Sequence, residues 1–178
     1  MFYLLPLLWF ADPLPSLLQV TYDFEFKGTE RRVSAQLALH KLEDGRFSIH
    51  CRKAPSGTLF TYWAEPERDV LTLPKDDLAF VGPAGQAVRL FPDGPSLHRD
   101  QWLALLVEGI WPGHPAWDFS RDDKWYVLNH REQEWTIRWR VKRMKYKNRY
   151  SKRILEARLS DRLEIKPLGD LELYWHLD

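Results

Sequence analysis

From Val20 onward, apolar and polar residues alternate with a period of two. Val20, Tyr22, Phe24 and Phe26 share one side; Thr21, Asp23, Glu25 and Lys27 share the other. Val33, Ala35, Leu37 and Leu39 repeat the pattern, and so do Phe47, Ile49 and Cys51 after the turn Glu43-Asp44-Gly45. Successive side chains leave a strand on opposite faces, so this alternation predicts half-buried antiparallel strands. Further short strands are expected at Thr58–Ala64, Asp69–Leu73, Leu78–Val81 and Gln86–Phe91. Pro, Gly and charged turn residues separate them. Seven strands in succession make a meander.

The period changes once. Ser96 is a candidate N-cap, and Trp102, Leu103, Leu106, Val107 and Ile110 then recur at helical spacing. A helix is expected over residues 97–109, ended by Gly109 and by Pro112 beyond it. Residues 111–123 read as a long irregular loop tethered by aromatics. Strands are expected again at Lys124–Asn129, Glu134–Lys142, Ser151–Leu159, Arg162–Pro167 and Asp170–Leu177, about twelve in all.

A chain of 178 residues fits one domain, here 20–178, preceded by an apolar segment over 1–19. With 44% hydrophobic and 29% charged residues it is neither a disordered tail nor a polytopic membrane protein. The run MFYLLPLLWFA is shorter than the roughly 20 residues a spanning helix needs. It has the length of a signal-peptide core without the charged leader, so a signal and a packed apolar arm both remain open. One cysteine, Cys51, excludes a disulfide framework, a cysteine zinc cluster and a redox pair.

Candidate chemistry is sparse. The six histidines include no metal-binding HExxH pair, and no phosphate loop or nucleophile elbow occurs. The expectation is a protein without catalytic residues, metal or cofactor. Charge is distributed unevenly instead. Between Arg138 and Arg162, eleven basic residues face only Glu156 and Asp161, a local +9 that leaves −8 for the rest of a chain totalling +1. Lys142, Arg143, Lys145, Lys147 and Arg149 are its centre and are expected to form one exposed hairpin patch. Such a patch suits an anionic membrane surface, an acidic protein or, without the RNA-recognition aromatic motifs, less readily a nucleic acid. The bland alternative is a solvated strand face guarded against edge pairing.

The order of elements resembles the periplasmic lipoprotein-carrier superfamily, the LolA/LolB-like proteins. Val33–His40 with Gly45–Cys51 is similar to its opening hairpin, and Pro55–Trp63, Val70–Leu73 and Leu78–Pro83 to its middle hairpins. Leu97–Gly109 is similar to its helix, and Trp135–Trp139 and Leu171–Trp175 to its last strands. The lipobox cysteine of the anchored members is missing. The resemblance implies a mainly β (α+β) fold: a curved antiparallel sheet of about ten to twelve strands, an unclosed half-barrel covered by the central helix. It also implies a monomer in the periplasm or on the periplasmic face of the outer membrane, carrying lipid or lipoprotein acyl chains. A curved sheet leaves an apolar pocket wherever its concave face is not covered. The expected lining is Phe24, Leu37, Leu39, Phe47, Ile49, Leu59, Tyr62, Leu71, Leu73, Leu106, Ile137 and Trp139. An acidic carrier protein is a further expected partner. The alternative function is a β-rich interaction module docking an acidic partner through the basic stretch.

Overall fold

The structure is a computed structural model describing residues 16–29 and 32–175. The apolar run 1–11 lies outside the described residues. In chain order the strands are β1 (Leu17–Lys27), β2 (Arg32–Lys41), β3 (Phe47–Lys53), β4 (Gly57–Ala64), β5 (Arg68–Leu73), β6 (Leu78–Pro83), β7 (Val88–Arg89) and β8 (Ser96–Leu97). Helix α1 (Arg99–Leu103) continues into a π-helical turn, Ala104–Glu108. There follow β9 (Trp117–Asp122), β10 (Trp125–His130), β11 (Thr136–Lys147), β12 (Glu164–Pro167) and α2 (Leu171–Trp175).

Among the described residues, ten strands form one sheet in the order β12-β6-β5-β4-β3-β2-β1-β11-β10-β9. Its end strands do not pair with each other, so the sheet is a half-barrel rather than a barrel. All neighbours are antiparallel except β12, which runs parallel to β6. Strands β7 and β8 form a separate pair. The mainly β, unclosed fold is thus the one expected.

Directly paired residues share a face, and the register defines two faces. Val20, Tyr22 and Phe24 lie inside with Leu39, Leu37 and Ala35 opposite them. Ile49 and Tyr62 continue this inner face across β3 and β4. The segment from β7 through the helix covers it, with Trp102, Leu105 and Leu106 buried against the sheet. Polar contacts pin this cover to the sheet and tie its parts together. Tyr22 Oη donates to the Leu106 carbonyl at 2.8 Å, and Trp102 Nε1 to the Val88 carbonyl at 2.9 Å. Arg99 donates to the Asp69 carboxylate at 3.3 Å and to the Glu65 carbonyl at 2.8 Å. Asp69 also accepts from the Gly85 amide at 2.8 Å. Buried charge is retained only where it is paired and hydrogen-bonded, as here.

Several elements differ from expectation. The helix starts at Arg99, capped by His98, while Ser96 belongs to β8; only its first half is α-helical. Gly109, at φ 68°, does end it. Strand β1 begins at Leu17, three residues early. The expected strand 86–91 shrinks to β7, and part of the expected loop 111–123 is β9. Of the expected strand Asp170–Leu177, the described part is not a strand: Leu171, Tyr174 and Trp175 meet the core at i, i+3 and i+4, and this spacing suits the helix α2.

Ser151–Leu159 is not a strand either. It crosses the outer face through a 3-10 turn, Lys152–Ile154, on its way to β12. Leu155 is buried against Leu17 and Leu42. The Ser48 hydroxyl donates to the Ile154 carbonyl at 2.6 Å, and the Ala157 amide donates to Glu65 at 2.6 Å. The basic stretch is therefore no hairpin but one long strand followed by this crossover.

Candidate functional site

Burial on the inner face of β2 declines towards the start of the strand. Leu39 and Leu37 are buried, whereas Ala35 and Val33 are half-exposed. The cause is the cover, which is pinned over Tyr22 and stops at Phe91. Beyond Phe91 a cavity of about 260 Å³ opens at the end of the half-barrel. Its floor is Phe24, Phe26, Val33, Ala35, Cys51, Leu59, Phe60 and Leu73; Leu90, Phe91 and Pro92 form one wall. Trp175 closes another side, held by its Nε1 donating to the Arg89 carbonyl at 3.0 Å. Lys75 and Asp76 supply the polar rim.

Phe91 divides this cavity from the core. Its ring stacks on Phe24 (centroids 4.5 Å apart) and meets Phe60 (5.4 Å) and Trp102 (6.0 Å) edge-on. On the far side a void of only about 10 Å³ remains beneath the helix. That volume is at the lower limit for one water, and its lining is apolar, so this part of the concave face is filled.

The twelve residues expected to line a ligand cavity divide accordingly. Phe24, Leu59 and Leu73 line the open cavity. Leu37, Ile49, Leu106, Ile137 and Trp139 surround the small void, which Phe24 also touches. Leu39, Phe47, Tyr62 and Leu71 are buried and line neither. The open cavity also uses Phe26, Val33, Phe60, Phe91 and Trp175, which are not among those twelve. Phe26 and Val33 belong to the alternating apolar sets of their strands and were legible as inner-face residues. Phe91 and Trp175 carry no such signal, because tertiary docking alone brings them there. The Cys51 thiol faces the cavity with its pKa pushed up to about 12 by burial, so it is a neutral apolar lining group.

The basic side chains stand apart from the cavity, on β11. Arg138 and Arg140 each donate two hydrogen bonds to one carboxylate oxygen, of Glu25 and Asp23 respectively, and Lys142 reaches Asp23 at 3.4 Å. Both arginines also lie over the Trp125 ring, at 4.6 and 4.8 Å. Between Tyr22 and Thr21 the pairing with β1 shifts register, leaving Lys142 as the extra residue of a bulge. Beyond it Arg143, Lys145 and Lys147 stand opposite Thr21, Gln19 and Leu17 on the outer face. No ion pair involves these three among the described residues. Desolvation and the like charges of Arg143 and Lys147 hold Lys145 below the ordinary lysine value. Arg149 follows just after the strand.

Among the described residues no cluster of three or more His, Cys, Asp or Glu side chains is arranged to hold a metal. No helix among them is long and apolar enough to cross a membrane. The architecture defines the chain as an open β half-barrel with an end cavity and a basic overhanging strand. Compared with known families and with curated proteins, the sequence matches no family model and no curated protein.

Proposed function

We propose that this protein binds a single acyl chain, or a similarly elongated apolar ligand, in the cavity beyond Phe91, without covalent chemistry. The observation that carries this reading is an apolar space of about 260 Å³ that the described side chains leave open. It falls just under the roughly 300–1,000 Å³ of typical small-molecule pockets, a size for one chain rather than several. Each methylene transferred from water would contribute about 0.8 kcal/mol. Lys75 stands at the rim where a carboxylate or phosphate headgroup would emerge. A role in moving lipids or lipoprotein acyl chains within the cell envelope fits this site and the element order of the lipoprotein carriers.

The test is titration of a fluorescent fatty acid against the wild type, Leu59→Trp and Leu39→Trp. Leu59 lines the open cavity, so an indole there should occupy it, cutting affinity at little cost in stability. Leu39 is fully buried among packed neighbours, so its enlargement should cost about 1–3 kcal/mol through overpacking. Absence of saturable binding in the wild type, or binding that ignores Leu59→Trp, would overturn the proposal.

A further inference from the structure

Strand β10 pairs with β11 only from Tyr126–Trp139 to Asn129–Thr136. On that side β11 continues alone from Arg140 to Lys147, while its other side stays paired with β1 as far as Leu17. Among the described residues no strand and no other backbone hydrogen bond engages this overhang. Every second backbone N–H and C=O along it points to the open side, a template for another strand.

The two faces of the overhang differ in chemistry. Val141, Met144 and Tyr146 lie opposite Tyr22, Val20 and Leu18, on the inner face, and are 43%, 49% and 69% exposed. Arg143, Lys145 and Lys147 take the outer face without acidic partners. Basic residues alone would be edge protection. Three exposed apolar side chains in a row on the opposite face are not, because they lengthen the surface that an added strand could cover.

We propose that the open edge Arg140–Lys147 binds an extended acidic segment of another protein by strand addition. Its alternate residues would be acidic over Arg143, Lys145 and Lys147 and apolar over Val141, Met144 and Tyr146. Main-chain hydrogen bonds supply a ladder in this mode of recognition, and alternate side chains supply the choice of partner. Charge excludes the simplest competitor. A second copy adding its own β11 antiparallel would set basic residues across from basic residues, which repel.

The experiment measures fluorescence anisotropy of a blocked peptide of alternating Glu and Val, as long as the open edge, against the whole protein. Three comparison peptides accompany it: alternating Lys and Val, Glu and Val in two blocks, and the Glu–Val peptide N-methylated at every second residue. The alternating acidic peptide should bind about tenfold or more tightly than each of these, and its affinity should fall as salt rises. The variant Arg143→Gln/Lys145→Gln/Lys147→Gln, altered only at half-exposed or exposed positions, should lose about tenfold with an unchanged thermal midpoint. Met144→Asp should weaken binding independently of those charges. An N-methylated peptide that binds as well as its parent would overturn strand addition. Binding to phosphatidylglycerol vesicles with no peptide binding would overturn it in favour of a membrane surface, and dimerisation through this edge would overturn it in favour of a second copy.

Discussion

Phe91 lies flat on Phe24, ring centroids 4.5 Å apart and planes at 17°, and this one contact separates a filled core from an open cavity. Stacked and edge-on aromatic neighbours fix the ring of Phe91 from three directions. The partition therefore depends on a side chain outside the sheet, held by the covering segment.

Truncating that partition should change stability and ligand choice together. Phe91→Ala should cost about 3–5 kcal/mol in urea unfolding, the usual range for a buried Phe. It should also join the void of about 10 Å³ to the cavity of about 260 Å³. Titration with straight-chain and branched-chain fatty-acid probes should then show the affinity ratio moving toward the branched probe. An unchanged ratio would mean that Phe91 does not limit the site.

Trp102 anchors the cover by its burial against the sheet, and its bond to the Val88 carbonyl ties the helix to β7 within that cover. Trp102→Ala should destabilise by about 3–5 kcal/mol. Leu103, beside it in the sequence but only partly buried, should cost distinctly less as Leu103→Ala. Urea midpoints of the two variants decide the matter, and equal losses would contradict the assigned helix face.

The outer face predicts an acid sensitivity. His40 is buried there, its pKa lowered to about 3 by desolvation, with His50, Lys147 and Lys145 adding repulsion. Burial also lowers His50. Its Nε2 lies 3.1 Å from the Ser48 hydroxyl, and its Nδ1 lies 3.3 Å from the Thr61 hydroxyl. Since the Ser48 hydroxyl donates to Ile154, it accepts from Nε2–H, which leaves Nδ1 to accept from Thr61 in the neutral ring. The folded state of His40 thus takes its proton only near pH 3, whereas the unfolded chain does so near 6.5. Stability is full above the unfolded value and is lost as pH falls from 6.5 towards 3. His40 alone should remove about 2 kcal/mol between pH 7 and pH 5. Urea midpoints at the two pH values check this, and His40→Gln should flatten the profile whatever its stability at pH 7. A profile as steep as that of the wild type would place the sensitivity elsewhere.

Much of the sheet was legible because period-two alternation is a local property. Val20, Tyr22, Phe24 and Phe26 must face one way wherever the strand lies, and a buried face on one side sets the register of its neighbours. Gly109 likewise ends the helix through its own backbone freedom, at φ 68°. Lys142-Arg143 breaks the alternation within β11, and the bulge is its structural answer: one extra residue turns Met144 and Tyr146 to the inner face.

Tertiary structure alone decided which part of that inner face is core and which is cavity. Leu39 and Val33 look alike in the sequence, two apolar residues on the same side of β2. They differ only in whether the covering segment, whose rim is Phe91, extends over them. The crossover of residues 148–163 and the short helix α2 escape the local pattern for a related reason. Their apolar residues take partners distant in the chain, Leu155 against Leu17 and Tyr174 against Phe80, and local periodicity carries no record of such contacts. The alternation determined two faces. Where a separate segment docks on them, and so where the sheet stays open, is settled by non-local packing.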